Sequence, residues 1–199
     1  MIVGLIREGK TPPDRRAVLT PQQCAQFLAQ FPEHSIFAEP SAVRCFPDQA
    51  YAEAGCHITT RMSECDVLLG VKEVPIKDLV PGATHFFFSH TYKEQPYNRA
   101  LLKACIQKKV RLIDWELLKR DGKRLIGFGH YAGLVGAYET LRGFLQMKGL
   151  APLPPAADLA WVDQLKTALN QHTKDGWRIV LTGTGRVAQG ATEMLLAGG

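Results

Sequence analysis

The stretch from Asp66 to Gln95, DVLLGVKEVPIKDLVPGATHFFFSHTYKEQ, decides how the rest of the chain is read. It holds two short apolar runs, each ending abruptly in charge. Asp66-Val67-Leu68-Leu69-Gly70-Val71 leads into Lys72-Glu73-Val74-Pro75, and His85-Phe86-Phe87-Phe88 leads into Ser89-His90-Thr91-Tyr92-Lys93-Glu94-Gln95. Continuous apolar runs of this length suit strands buried on both faces, as in a parallel sheet covered by helices. Ligands of open α/β sheets gather at the carboxyl ends of the strands. An amine and an imidazole set directly after two such strands can face one crevice. Such a pair moves protons near neutral pH when the site shifts the lysine downward.

On the amino-terminal side, Ile2 to Ile6 reads as a first strand, followed by a polar loop from Arg7 to Asp14. Thr20-Pro21-Gln22-Gln23 is a helix start, with threonine as N-cap, proline at the first helical position and glutamine closing a capping box. That helix runs to about Phe31. Ser35–Ala38 reads as a strand, Pro47–Ala54 as a helix and Cys56–Thr59 as a further short strand. On the carboxyl side, Gln95-Pro96 opens a helix with apolar positions at 101, 102, 105 and 106, and Val110–Ile113 is the next strand. Asp121-Gly122 marks a hairpin turn between Trp115–Leu118 and Arg124–Phe128.

The longest helical segment runs from about His130 to Lys148, where Gly133, Gly136 and Ala137 thin one face enough for another backbone to approach. Gly149 to Pro155, GLAPLPP, reads as a linker, because proline at that density resists both helix and sheet and makes a stiff spacer. Asp158 then caps an amphipathic helix to about His172. Asp175-Gly176 turns into a strand, Trp177–Leu181, and Thr182–Ala188 opens a last helix. Repeats and low-complexity tracts are absent.

Composition narrows the function classes. Of the 199 residues, 46% are hydrophobic and 22% charged, as in an ordinary globular protein, and the net charge is a modest +5. Basic residues are dispersed. The densest patch, Lys108-Lys109-Val110-Arg111, has no interleaved aromatics, which argues against a nucleic-acid partner. The same balance suits small anionic ligands. The five cysteines form no CxxC pair and have no histidine at metal-ligand spacing, so reduced thiols and no metal site are expected. MIVGLIREGK turns charged at Arg7, too early for a secretory signal. No apolar run approaches the roughly 20 residues that span a bilayer. The expectation is a cytoplasmic protein without a membrane partner; a homo-oligomer is compatible with it.

RIVLTGTGRVAQGA places Gly183-x-Gly185-x-x-Ala188 after the last strand and at the mouth of a helix. In a dinucleotide fingerprint the first glycine allows the tight turn, and the second lets the backbone approach a pyrophosphate. The small third position packs helix on strand, and the helix N-terminus faces the anion. Gly183, Thr184, Gly185, Arg186 and Val187 are therefore the cofactor-contact candidates. The acidic residue that binds ribose, about 20 residues further on, falls past Gly199, as does a second strand. The isolated 199-residue chain is expected neither to bind NADH tightly nor to turn over.

Taken singly, the other polar positions have bland readings. Lys72 is a solvated lysine at a strand end, His90 a structural or capping histidine, and Arg16 a surface charge beside a helix start. Glu116 and Arg124 are hairpin charges and Tyr131 a packing residue. Together they carry more. GVKEVP, FFFSHTYKEQPYNRALL, RLIDWELL, FGHYAGLVGA and the opening LIREGKTPPDRRAVLTP occur in an order that resembles the alanine dehydrogenase/transhydrogenase superfamily, and within it the lysine-forming saccharopine dehydrogenases. VKE recurs across the superfamily, whereas SHTYKEQ and FGHYAG favour the saccharopine branch.

The resemblance implies Lys72 and His90 as catalytic residues and Arg16 and Arg124 as binders of substrate carboxylates. It implies Glu73 and Glu116 as carboxylates tempering the positive charge, and puts Lys93 and Gln95 near the substrate. It further implies an α/β fold: a flavodoxin-like substrate domain over residues 1–128, with a parallel sheet and flanking helices. A connecting helix and linker would span 129–157, and the truncated start of a Rossmann domain 158–199. The implied activity is NAD-dependent oxidation at an amino-acid C–N bond, converting saccharopine and water to lysine and 2-oxoglutarate. Alanine dehydrogenase chemistry, or a non-redox module that binds an amino acid, are the alternatives. Saccharopine versus alanine, and NAD versus NADP, stay open at this point.

Overall fold

The two apolar runs after Asp66 form neighbouring parallel strands in the computed structural model, which describes residues 1–172 and 177–198. The expected turn at Asp175-Gly176 lies outside the described residues. Numbered along the chain, the sheet comprises β1 (Ile2–Leu5), β2 (Ser35–Ala38), β3 (His57–Ile58), β4 (Val67–Leu69), β5 (Thr84–Phe87) and β6 (Arg111–Asp114). All pairings are parallel, in the order β3-β2-β1-β4-β5-β6. Without the two-residue edge strand β3, the remaining five follow the flavodoxin-like order 2-1-3-4-5, whose switch point lies between β1 and β4. The expected α/β architecture with a parallel sheet is what forms.

Backbone hydrogen bonds continue past the assigned strand ends. Ile6 donates to Leu69 and Phe88 donates to Val71, at 3.0 Å each, so the ladder reaches the charged residues that come after β1, β4 and β5. The helix α1 (Pro21–Gln30) begins as its sequence requires. Thr20 Oγ1 accepts from the Gln23 amide at 3.2 Å, and Gln23 Oε1 accepts from the Thr20 amide at 2.8 Å. With α2 (Asp48–Glu53) it buries Cys24 and Tyr51 against Val3, Leu5, Ile36 and Ala38 of the sheet. The helix α3 (Arg99–Gln107) buries Leu101, Ala104 and Cys105 against Phe87, Val74 and Leu79. A third cluster gathers Phe37, Met62, Cys65, Leu68 and Ala83. Strands flanked by apolar groups in this way read as continuous runs in the sequence.

The hairpin at Asp121-Gly122 is smaller than its sequence signal. It joins only β7 (Lys119–Arg120) and β8 (Lys123–Arg124), and both turn residues have positive φ, as a type I′ turn requires. Trp115–Leu117 is a 3₁₀ turn rather than a strand.

The chain divides into two units, Met1–Ile126 and Gly127–Gly199. In the second, α4 (Gly129–Met147), α5 (Val162–Asn170) and α6 (Arg186–Ala197) enclose Leu134, Tyr138, Leu141, Leu145, Leu165, Leu169 and Met194. Of the small residues in α4, Gly133 is the one that another backbone needs. A Cβ there would collide with the Val187 carbonyl and lie 2.8 Å from the Ala191 amide, whereas nothing lies within 4 Å of one at Gly136. Gly190 mirrors it, since a Cβ would collide with the His130 carbonyl and lie 3.0 Å from the Leu134 amide.

The proline-rich stretch after α4 docks along that helix. Leu153 is buried, Tyr138 Oη donates to the Pro154 carbonyl at 2.8 Å, and Glu139 Oε1 accepts from the Ala156 amide at 2.7 Å. Asp158 ends a 3₁₀ turn instead of capping α5, whose first turn is closed by Gln164 Oε1 accepting from the Ala160 and Trp161 amides at 2.7 and 3.2 Å. Residues 177–181, read as a strand, are irregular, with Ile179, Val180 and Leu181 exposed. A strand exists only through a neighbour, and no described residue pairs with them.

Candidate active site

The candidate site lies at the carboxyl edge of the sheet in the first unit, where β1, β4, β5 and β6 end side by side. The segment after β4 carries Lys72 and Glu73, the segment after β5 carries His90 and Lys93, and the 3₁₀ turn after β6 carries Glu116. Two features pin these ends together. Trp115 Nε1 donates to the Gly70 carbonyl at 2.7 Å, reaching across from β6 to the end of β4, and its ring packs on Phe86 at 4.9 Å between centroids. Gly70 is constrained by space, because a Cβ would sit 2.8 Å from Ile6 Cδ1.

Glu116 is the hub. Its Oε2 lies 3.0 Å from His90 Nδ1 and 3.1 Å from Lys93 Nζ, and its Oε1 lies 3.2 Å from Arg124 Nη2. Burial pushes this carboxyl up, but hydrogen bonds from Lys93, His90 and Tyr92 outweigh burial and bring it down to about 2. The same contact with Glu116 raises Lys93. His90 Nδ1 also lies 3.3 Å from Lys93 Nζ. That ring nitrogen thus has an acceptor and a donor beside it: protonated, it donates to Glu116; unprotonated, it accepts from Lys93. An imidazole supported in both states suits proton transfer.

Glu73 joins the second half of the site. Its Oε2 lies 3.2 Å from Lys10 Nζ, and its Oε1 4.0 Å from His90 Nε2. Lys72, half-buried beside it, acts electrostatically on Asp14. Asp14 in turn grips Arg16, accepting from its Nε at 2.9 Å, from its Nη2 and from its backbone amide at 3.1 Å. This guanidinium contact holds Asp14 below the usual carboxylate range and orients Arg16. Gln95 is exposed and precedes the 3₁₀ turn Pro96–Asn98.

The structure thus links His90, Glu73, Lys93, Glu116 and Arg124 by contact, with Lys10 added, and sets Lys72 and Arg16 around Asp14. Sequence reasoning missed Lys10, Asp14, the half-buried Glu8 and the buried Asp114. Glu8 accepts from the Val71 and Lys72 amides at 2.7 and 2.8 Å. Asp114 accepts from the Ser89 and His90 amides at 3.1 and 2.9 Å. The available signal was an acid at the end of each strand flanking β4 and β5.

The cofactor candidates belong to the second unit. Gly183 has φ +93°, which an L side chain rarely adopts, so glycine is required there by the backbone. Gly185, the N-cap of α6, has an ordinary φ of −79°, and nothing lies within 4 Å of its would-be Cβ. Its missing side chain leaves space before a helix N-terminus, where first-turn amides lack intrahelical partners. Thr184, Arg186 and Val187 flank that space and are exposed. A cavity of about 1060 Å³ in this unit, lined by α4, α6 and residues 177–181, is mainly apolar and contains none of the proton-handling candidates. Among the described residues no group of His, Cys, Asp or Glu is placed to hold a metal ion, and no helix is long and apolar enough to cross a membrane.

Known proteins resemble this chain in sequence and in fold. The sequence profile described as alanine dehydrogenase/PNT, N-terminal domain, matches residues 4–135, which hold all of the sheet but the first half of β1 and every proton-handling candidate. The chain belongs to the alanine dehydrogenase/PNT N-terminal domain family. Relatives of this family member include an alpha-aminoadipic semialdehyde synthase of Arabidopsis thaliana, 38% identical over 74% of this chain and 14% of the relative. The mitochondrial protein of the same name from Rattus norvegicus is 31% identical over 97% of the chain and 23% of the relative. The NAD(+), L-lysine-forming saccharopine dehydrogenase of Yarrowia lipolytica is 27% identical over 95% of the chain and 55% of the relative. The chain therefore spans a fraction of these relatives, about half in the case of the saccharopine dehydrogenase. Among solved structures, an L-alanine dehydrogenase superposes with TM-score 0.65 at 17% identity, covering 100% of this chain and 53% of that one. That likeness concerns the fold.

Proposed function

We propose that this chain supplies the substrate domain and proton carriers of an NAD-dependent oxidoreductase acting at an amino-acid C–N bond, with saccharopine as substrate. The observation that carries the reading is the carboxylate hub at Glu116, which holds His90, Lys93 and Arg124 at the carboxyl edge of a parallel sheet. The relatives named saccharopine dehydrogenase support the choice of substrate.

Oxidation of a secondary amine to an imine, followed by hydrolysis, needs proton removal from nitrogen and from water, and proton delivery to the departing amine. Lys72 and His90 carry those protons. Arg16 and Arg124 hold substrate carboxylates, since guanidinium matches a carboxylate in two hydrogen bonds. Lys93 and Gln95 line the substrate's approach. Glu73 and Glu116 keep the cationic groups from repelling one another, and Glu116 orients the His90 ring. The residues present fit a dinucleotide: Gly183, Gly185 and the α6 N-terminus would hold its pyrophosphate, flanked by Thr184, Arg186 and Val187. NAD, when bound, accepts the hydride.

The test is a steady-state assay of the full-length gene product, following NADH absorbance with saccharopine or alanine, and the reverse reaction with lysine plus 2-oxoglutarate. Turnover of saccharopine, and of lysine with 2-oxoglutarate, is expected. Turnover of alanine alone would move the protein to the alanine dehydrogenase branch, and turnover of none would refute the redox reading.

A further inference from the structure

The two strands that carry the proton carriers, β4 and β5, are flanked by β1 and β6. From each flanking strand comes one carboxylate that touches neither proton carrier's side chain but accepts from its backbone. Beyond β1, Glu8 Oε1 accepts from the Val71 amide at 2.7 Å and Oε2 from the Lys72 amide at 2.8 Å. At the end of β6, Asp114 Oδ2 accepts from the Ser89 amide at 3.1 Å, from the Ser89 hydroxyl at 2.6 Å and from the His90 amide at 2.9 Å. Its Oδ1 accepts from the Glu116 amide at 2.8 Å.

We propose that Glu8 and Asp114 are positioning residues, clamping the backbones of Lys72 and of His90 and Glu116 so that the proton carriers hold one geometry. The proposal rests on the reading that Lys72 and His90 move the protons.

Three observations support it. Each carboxylate uses both oxygens on backbone donors, a task that Asn or Gln cannot repeat, because one of its two polar atoms is itself a donor. His90 has φ +55°, an uncommon conformation for a residue with a side chain, and it persists where surrounding bonds over-determine it. Asp114, through its three partners at that turn, supplies those bonds. Asp114 is also buried, 6% exposed, where an unmatched amide would be costly and a matched one is rigid. Such support matters because a misplacement of about 1 Å can cost on the order of 10²-fold in rate.

The experiment is a set of mutant cycles in the full-length protein, with kcat and KM measured below the melting temperature of each variant. Glu8→Gln and Asp114→Asn should each lower kcat about 10- to 100-fold with little change in KM. Glu8→Gln should cost little more in a Lys72→Met background, and Asp114→Asn little more in a His90→Gln background, since a clamp has nothing left to position. A merely structural role would give the same loss in both backgrounds. Unchanged kcat in Lys72→Met and His90→Gln would overturn the proton-carrier reading and the proposal with it. Impaired Lys72→Met and His90→Gln, with Glu8→Gln and Asp114→Asn either silent or fully additive, would overturn the proposal alone.

Discussion

Replacing Glu116 by glutamine tests the hub of the site through stability rather than turnover. Holding its carboxyl at about 2, against an ordinary 4.5, means that the folded state favours the ionised form. Each factor of ten in a proton affinity is worth about 1.4 kcal/mol, which makes this preference about 3 kcal/mol before screening. The Glu116 side chain is only 11% exposed, but Lys93 and Arg124 are 37% and 44% exposed, so solvent reduces the figure to about 2 kcal/mol. A carboxyl lowered on folding stabilises the protein above its unfolded value, and that contribution disappears as pH falls from about 4.5 toward 2. Glu116→Gln should therefore cost about 2 kcal/mol at pH 7 by urea denaturation, and the gap to wild type should close below pH 4.5. The neutral amide would leave His90, Lys93 and Arg124 facing one another, so the loss includes repulsion among them. Equal stability of the two proteins at pH 7, or a gap that persists unchanged at pH 3, would refute the account of Glu116 as the organising charge.

The remaining expectations concern other parts of the molecule. Gly190→Ala and Gly133→Ala should each lower the melting temperature of the α4–α6 unit by several degrees, because the added methyl meets backbone that cannot rotate away; Gly136→Ala, in open space, should leave it unchanged or raise it slightly. His85 is fully buried and desolvation lowers its proton affinity; its Nε2 accepts from the Val80 amide at 3.1 Å, a bond that only the unprotonated nitrogen can accept. The unfolded chain protonates first as pH falls, so stability should decline from about pH 6.5 downward, and His85→Asn should flatten that part of the pH–stability curve. In the active protein, Arg16→Ala and Arg124→Ala should raise substrate KM with kcat and melting temperature little altered, read by initial rates and thermal denaturation.

How much of this was legible in the sequence depends on how local the cause is. The α1 start is written within four residues, Thr20 to Gln23, and forms as read. The runs around Leu68 and Phe87 specify buried parallel strands because both faces meet apolar groups. The strand expected at 177–181 has the right residues, yet a strand needs a partner, and periodicity says nothing of one. The start of α5 shifted from Asp158 to Trp161 because Gln164 supplies the closing acceptor from inside the helix. The site divides the same way. Lys72 and His90 stand out because each is a titratable side chain just past the end of an apolar strand. Their supporting carboxylates cannot be paired with them by spacing, since Glu8 bonds across 64 residues to Lys72 and Asp114 across 24 to His90.

That division has a physical reason. A parallel sheet brings strand ends together only after crossovers of a dozen or more residues, so a site at its edge is assembled from distant segments. Each segment exposes backbone amides where its strand ceases, and some acceptor must satisfy them. Glu8 and Asp114 do so with charge, and Glu73 and Glu116 add two further carboxylates. With Asp14, these set five carboxylates among Lys10, Arg16, Lys72, Lys93, Arg124 and the imidazole of His90. On the proposed function, a carboxylate-rich substrate entering this edge would compete with Glu116 for Arg124 and with Asp14 for Arg16. It would exchange one set of ion pairs for another instead of burying uncompensated charge. Were Glu116 to yield Arg124 in that exchange, its Oε2 would remain beside His90 Nδ1, and the imidazole would keep its acceptor. On that reading, the separation of those contacts between the two oxygens of Glu116 would let one residue serve both recognition and proton transfer.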